Sequence, residues 1–99
     1  MRAIRYHDNG SADVLKLEEI AVPEPGADEV LVRVRAAGVN PVDWKQRSGM
    51  NPNLPATPGI DVSGLVEKVG AGVHGFEAGQ EVWGTGQGTY AEYAIAPAN

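Results

Sequence analysis

Two stretches of the chain place residue types at spacings that could do chemistry. The first is Gly70-Ala71-Gly72-Val73-His74-Gly75, which spells G-x-G-x-x-G straight after a strand-like run, with Glu92 further on where a ribose-binding carboxylate would sit. In a dinucleotide site those glycines let the backbone approach a pyrophosphate, and a helix N-terminus aims its N–H groups at the negative charge. Here Gly79 arrives after only Phe76, Glu77 and Ala78, so no helix can follow. The segment therefore predicts a glycine-rich turn between two antiparallel strands, with His74 exposed on it. Gly84-Thr85-Gly86-Gln87-Gly88 lacks the spacing and reads as a loop. The second stretch is Asn40-Pro41-Val42-Asp43, with Trp44 and Lys45 directly behind it. A capping residue, then Pro at the first helical position, a carboxylate at the third and Gly49 at the far end predict a short helix over Pro41 to Ser48.

The elements that must carry these residues are short and β-like. Of 99 residues, 13 are Gly and 7 Pro, about a fifth of the chain against an average near 12%. That excludes a helical bundle, and 42% apolar with 21% charged residues excludes disorder. Strand patterns run from Arg2 to Tyr6, Leu15 to Val22, Glu29 to Ala37, Ile60 to Val69, Gln80 to Trp83 and Tyr90 to Ala96. In the third, Val30, Val32, Val34 and Ala36 share one face, with Arg33 and Arg35 on the solvated face. Gly64 inside the fourth predicts a bulge or a close backbone approach. Met50 to Pro58, with Pro52, Pro55 and Pro58, predicts an extended surface loop. The expected fold is mainly β, a small, partly open barrel of five to seven strands with one short helix and no second domain.

Charge and cysteine content narrow the function classes. The net charge is −5 with a pI near 4.8, and the basic residues are scattered, which argues against nucleic acid as a partner. The acidity fits the solubility balance of a cytoplasmic protein, or the alternative of a salt-rich interior. With no Cys, disulfides and thiolate chemistry are excluded, and His7 and His74 lie too far apart in sequence to suggest a local metal pair. Met1-Arg2-Ala3-Ile4-Arg5 is no signal region, and no apolar run approaches ~18 residues. A cytoplasmic protein away from the membrane is expected.

Four segments, in order, carry a resemblance: A-G-V-N-P-V-D-W-K, L-P-A-T-P-G-I-D-V-S-G, V-E-K-V-G-A-G-V and G-T-Y-A-E-Y-A. Together they resemble the N-terminal GroES-like catalytic domain of medium-chain dehydrogenases/reductases, in the zinc-independent quinone oxidoreductase branch related to zeta-crystallin, across essentially all 99 residues. The resemblance implies that residues 1–99 are a fragment of a longer two-domain enzyme, inactive alone, whose Rossmann domain, absent from this chain, binds NADPH. It also implies a homodimeric full-length enzyme that takes a small quinone or activated alkene. Zinc-dependent relatives carry Cys at the position of Asn40 and His at that of Ile60, beside the acidic position of Asp61, so hydride transfer without zinc is expected.

Metal-free hydride transfer asks the protein for positioning, water exclusion and a donor for a developing oxyanion. Asn40 is the first catalytic and cofactor-binding candidate, its amide facing a substrate or nicotinamide carbonyl, and equally reads as the helix N-cap. Lys45, where many relatives have tyrosine, is the second catalytic candidate, as a proton or charge donor, and otherwise a surface lysine. Asp43, Trp44 and Asp61 are substrate-cleft candidates: Asp43 otherwise supports the cap, and Trp44 either stacks on a flat quinone or packs. Trp83 reads as core, and Tyr90 and Tyr93 as alternating, packed strand residues.

A different class of protein stays open at this stage, a stand-alone structural or interaction module with a co-chaperonin-like fold. Its sharpest version needs a mobile loop with an apolar tripeptide, and Gly49 to Pro58 offers only the isolated Met50, Leu54 and Ala56. The fragment reading further leads one to expect uncovered apolar surface near the last strand, with self-association or reduced stability.

Overall fold

The computed structural model describes residues 1–49 and 51–98; Met50 of the expected loop and Asn99 lie outside them. Among the described residues the strands are β1 (Arg2–Arg5), β2 (Lys16–Glu19), β3 (Glu29–Ala37), β4 (Asp61–Val69), β5 (Glu81–Thr85) and β6 (Tyr93–Pro97), with the helix α1 (Pro41–Ser48) between β3 and β4. A 3-10 turn over Ala12–Val14 precedes β2. β1 and β2 pair antiparallel, and the other four form an antiparallel sheet in the order β5-β4-β3-β6. The two sheets join through the Ala3↔Ala91 bridge, and Gln87↔Ile95 begins a closure that β5 and β6 do not complete. The result is the expected partly open barrel, mainly β with one short helix. No helix among the described residues is long and apolar enough to cross a membrane.

β3 organises the sheet because its valines face the interior. Val30, Val32, Val62 and Ala96 are buried together, with Val34, Val73, Phe76, Val82 and Ala98 against them. Arg33 and Arg35 are exposed as expected, whereas Leu31 is buried on the opposite face and Ala36 is exposed. The exposure of Ala36 follows from the register shift between Val34 and Ala36, which interrupts the simple alternation; a second shift lies between Leu31 and Val32. Gly64 pairs with Val34 beside that shift, and a Cβ there would collide with the Arg33 carbonyl. The close approach expected at Gly64 is real, and the irregularity sits on its partner strand.

The G-x-G-x-x-G segment is the turn between antiparallel β4 and β5. It is tied back by Gly70 N–H to the Glu29 carbonyl and Gly72 N–H to that of Ala27, both 2.8 Å, and His74 is exposed. Glu92 accepts the Arg2 N–H at 2.6 Å, and that bond holds its carboxyl below the usual range.

Several expectations need correcting. The second strand is shorter than Leu15 to Val22, because Leu15 closes the 3-10 turn onto Ala12 and Ile20 bonds Met1. The last strand starts at Tyr93, so Tyr90 is no strand residue; its N–H goes to the Pro58 carbonyl at 3.0 Å. Gly49 ends α1 at φ −86°, without the left-handed turn of a C′ glycine, and its N–H bonds the Lys45 carbonyl. Trp83 is not core: it is 87% exposed, because β5 is the sheet edge and its alternation turns Val82 inward and Trp83 outward.

One consequence is testable at Gly64. Gly64→Ala is expected to cost roughly 3 kcal/mol, since the methyl meets backbone that cannot rotate away. A lower urea midpoint checks it; an unchanged midpoint would mean that β3 and β4 can part there at no cost.

Candidate functional site

α1 starts as its residues predict. Asn40 is extended (φ −127°, ψ 155°), Pro41 opens the helix, and Asp43 at the third position accepts the Asn40 N–H on Oδ2 at 2.9 Å. The arrangement is that of a capping box, with the Asn40 side chain set beside the Asp43 N–H but making no hydrogen bond of full geometry to it; that N–H is met by the Asn40 backbone carbonyl at 2.9 Å. The amide Nδ2 donates to Asp61 Oδ2 at 2.8 Å. Asp61 opens β4, and its carbonyl accepts the Gly38 N–H at 3.1 Å. The turn from β3 into α1 is thereby held against the start of β4.

Asp43 is 5% exposed, the sole buried residue of α1. Taking a carboxylate out of water is costly without compensating donors. Besides the Asn40 N–H, its Oδ2 accepts the Tyr90 hydroxyl at 2.6 Å, a length typical of a charge-assisted bond. Its Oδ1 is buried without a partner among the described residues. The Tyr90 phenol is pushed up to about 12, chiefly by burial, then by its bond to Asp43 and that group's charge, against the opposing Arg47 guanidinium. It is therefore a proton-bearing donor at any physiological pH.

Tyr90 is seated by Gly59, whose φ is +111° and where a Cβ would collide with Thr89 Oγ1 and lie 2.7 Å from Tyr90 Cδ1. At the far end of α1, Gly10 N–H bonds the Arg47 carbonyl at 2.8 Å and Arg47 Nε returns to the Gly10 carbonyl at 3.3 Å. Next to the Asn40–Asp61 pair, a groove of about 550 Å3 runs over the outer sheet face, lined by Ala36, Gly38, Asp61, Ser63, Trp83 and Thr85.

Of the residues singled out from sequence, Asn40, Asp43 and Asp61 come together. Trp44 and Lys45 are exposed, and the Lys45 ammonium stands 5.7 Å from the centre of the Trp44 ring. Among the described residues it makes no hydrogen bond or ion pair with the cluster. Sequence reasoning missed Tyr90, read there as a packed strand residue. The available signal was indirect: a carboxylate at the third position of a helix with little apolar surface needs a donor from elsewhere.

With this geometry in view, the comparisons are specific. Residues 26–99 match the alcohol dehydrogenase GroES-like domain. A quinone oxidoreductase of Lama guanicoe is 51% identical over 102 residues, covering 97% of this chain and 31% of that protein. A mycobacterial protein solved with NADPH superposes with a TM-score of 0.93 at 38% identity, over 99% of this chain and 32% of that one. The Escherichia coli quinone oxidoreductase complexed with NADPH gives 0.93 at 32% identity, over 99% and 31%. The chain belongs to the alcohol dehydrogenase GroES-like domain family, within the medium-chain dehydrogenase/reductase superfamily. It spans about a third of the length of the relatives it matches.

Two outcomes follow from the buried carboxylate. Asp43→Ala is expected to lower stability by roughly 3 kcal/mol, because it strands the Tyr90 hydroxyl and the Asn40 N–H; a urea midpoint within error of the wild type would refute this. A phenol whose pKa rises on folding contributes stability that is whole below pH 10.0 and lost as the pH climbs towards about 12. The wild type should therefore lose stability more steeply than Tyr90→Phe across that window, and parallel curves from urea titrations would show that phenol and carboxylate are uncoupled.

Proposed function

We propose that this chain is the substrate-side domain of an NADPH-dependent oxidoreductase that reduces a quinone or an activated alkene without zinc. In this reading its nucleotide-binding domain lies outside residues 1–99, and the full-length enzyme is a cytoplasmic homodimer acting on small molecules, not on nucleic acid or membranes. The observation that carries it is the Asn40 amide beside the outer groove. One N–H is committed to Asp61, and the amide also carries a second N–H and a carbonyl oxygen.

That donor and acceptor pair fits the carboxamide of a nicotinamide, or a substrate carbonyl, whereas residues 70–80 form a hairpin turn with no helix to cradle a pyrophosphate. NADPH, when bound, supplies the hydride. The chain's own part is to orient and to exclude water. Asn40 holds a carbonyl and shares charge as it develops on that oxygen, Asp61 fixes the amide, and Ala36 and Trp83 line the groove, which the rest of the full-length protein would close to water. The donor set supports a metal-free route, since a carboxamide and a sec-butyl side chain stand at Asn40 and Ile60, and neither is a usual zinc ligand. Trp44 and Lys45 enter this reading only if the rest of the full-length protein covers the exposed side of α1. A co-chaperonin-like module is not favoured by relatives such as the quinone oxidoreductase at 51% identity.

The full-length protein should oxidise NADPH in the presence of 1,4-benzoquinone or 2-alkenals and keep its rate with a chelator; a requirement for zinc would overturn the reading. Asn40→Ala should lower kcat about tenfold or more while costing under about 1 kcal/mol in stability, its side chain making no capping hydrogen bond of full geometry. The reverse pattern, stability lost and turnover kept, would make Asn40 structural.

A further inference from the structure

Tyr90 is 50 residues beyond Asn40 in sequence, yet it stands one carboxylate away from it. The Tyr90 hydroxyl and the Asn40 main-chain N–H converge on the same oxygen, Asp43 Oδ2, at 2.6 and 2.9 Å. Asp43 Oδ1 is buried and without a partner among the described residues, so all of the compensation that the carboxylate receives there comes through Oδ2. Removing the phenol would leave a 95% buried carboxylate with the Asn40 N–H alone, since Asp43 is 5% exposed. A charge so poorly compensated turns towards water, and in turning releases the Asn40 backbone.

That backbone decides where the amide points. Asn40 precedes the first turn, and its side chain makes no hydrogen bond of full geometry to that turn. Its two ties are the main-chain bond to Asp43 and the Nδ2 bond to Asp61 at 2.8 Å. The Asp61 tie is exposed and bends easily; the Asp43 tie is part-buried and stiffer. Tyr90 is itself immobilised: its N–H bonds the Pro58 carbonyl at 3.0 Å, its carbonyl accepts the Ile4 N–H at 2.9 Å, and its ring packs against Gly59, where a side chain does not fit. Position thus passes from the β1 edge and the Pro58-Gly59 segment through a phenol and a carboxylate to the amide.

We propose that Tyr90 is a positioning residue for Asn40, acting through Asp43, which rests on the reading of Asn40 given above. Tyr90→Phe keeps the ring and removes only the hydroxyl, so the fold is retained. In the full-length enzyme with NADPH and 1,4-benzoquinone, the variant should lose about tenfold in kcat with KM changed less than about twofold, because the amide is displaced and not removed. In an Asn40→Ala background the same change should cost no further kcat, while its effect on the urea midpoint should persist. A merely structural tyrosine would move the midpoint alike in both backgrounds and leave kcat alone, and independent kcat losses that multiply would also overturn the proposal.

A second measurement separates failure of this coupling from failure of the functional reading. With asparagine selectively labelled with 15N, Tyr90→Phe should shift both the main-chain and the side-chain signals of Asn40 while leaving those of Asn9, beside the far end of α1, in place. Unmoved Asn40 signals would sink the coupling whatever the enzyme's activity. Shifted signals in a protein that turns over no quinone would uphold the coupling and refute the function.

Discussion

The arrangement of the site depends on one buried charge, the carboxylate of Asp43. α1 has eight residues, fewer than the ~12–15 at which an isolated helix becomes even marginally stable. It presents no apolar face to the sheet, for Asp43 is its sole buried residue and Val42 and Trp44 are exposed. The helix is therefore placed by polar anchors: Tyr90 and Asn40 on Asp43 at one end, and the Gly10–Arg47 bonds at the other. Polar anchors are directional, so they fix the helix in rotation as well as in position. Apolar contacts alone would leave it free to slide.

The barrel supplies the rigid frame for those anchors. Antiparallel pairing of β3 with both β4 and β6 brings three distant stretches to one rim: Gly38 to Asp43, Gly59 to Asp61, and Thr89 to Tyr90. The glycines near this rim matter by what they leave out. A methyl group at Gly59 would displace Tyr90, and one at Gly38 would stand 3.0 Å from the Asp61 Cβ. Incomplete closure has its own consequence, an apolar cavity of about 400 Å3 between β5 and β6, lined by Val30, Val62, Phe76, Val82 and Ala96. The open seam and the exposed Trp83 belong to the same edge.

Much of the fold was legible in the chain. Alternation in Glu29 to Ala37 marked β3 because one face is apolar and the other charged, and Asn40-Pro41-Val42-Asp43 marked the start of α1 because caps act locally. The G-x-G-x-x-G spacing could be set aside for a physical reason that the structure bears out: the three residues from Phe76 to Ala78 leave no room for a helix. Trp83 was misread because a large indole at a strand end looks like core until the strand order shows it to be on an edge. The contact between Tyr90 and Asp43 was illegible, since it spans 47 positions and no local pattern reports which donor reaches a distant carboxylate.

By itself, the sequence determined what depends on neighbours along the chain. Strand periodicity, cap, turns and the absence of cysteine follow from residue types within a few positions of one another, where backbone sterics and solvation act directly. Its ordered motifs also sufficed for the family. Tertiary structure alone decided which way the Asn40 amide turns, that Asp43 is buried, and that Tyr90 stands behind it. Those outcomes turn on how distant segments share the few donors available to a charge removed from water, and that competition is resolved only when the barrel has formed.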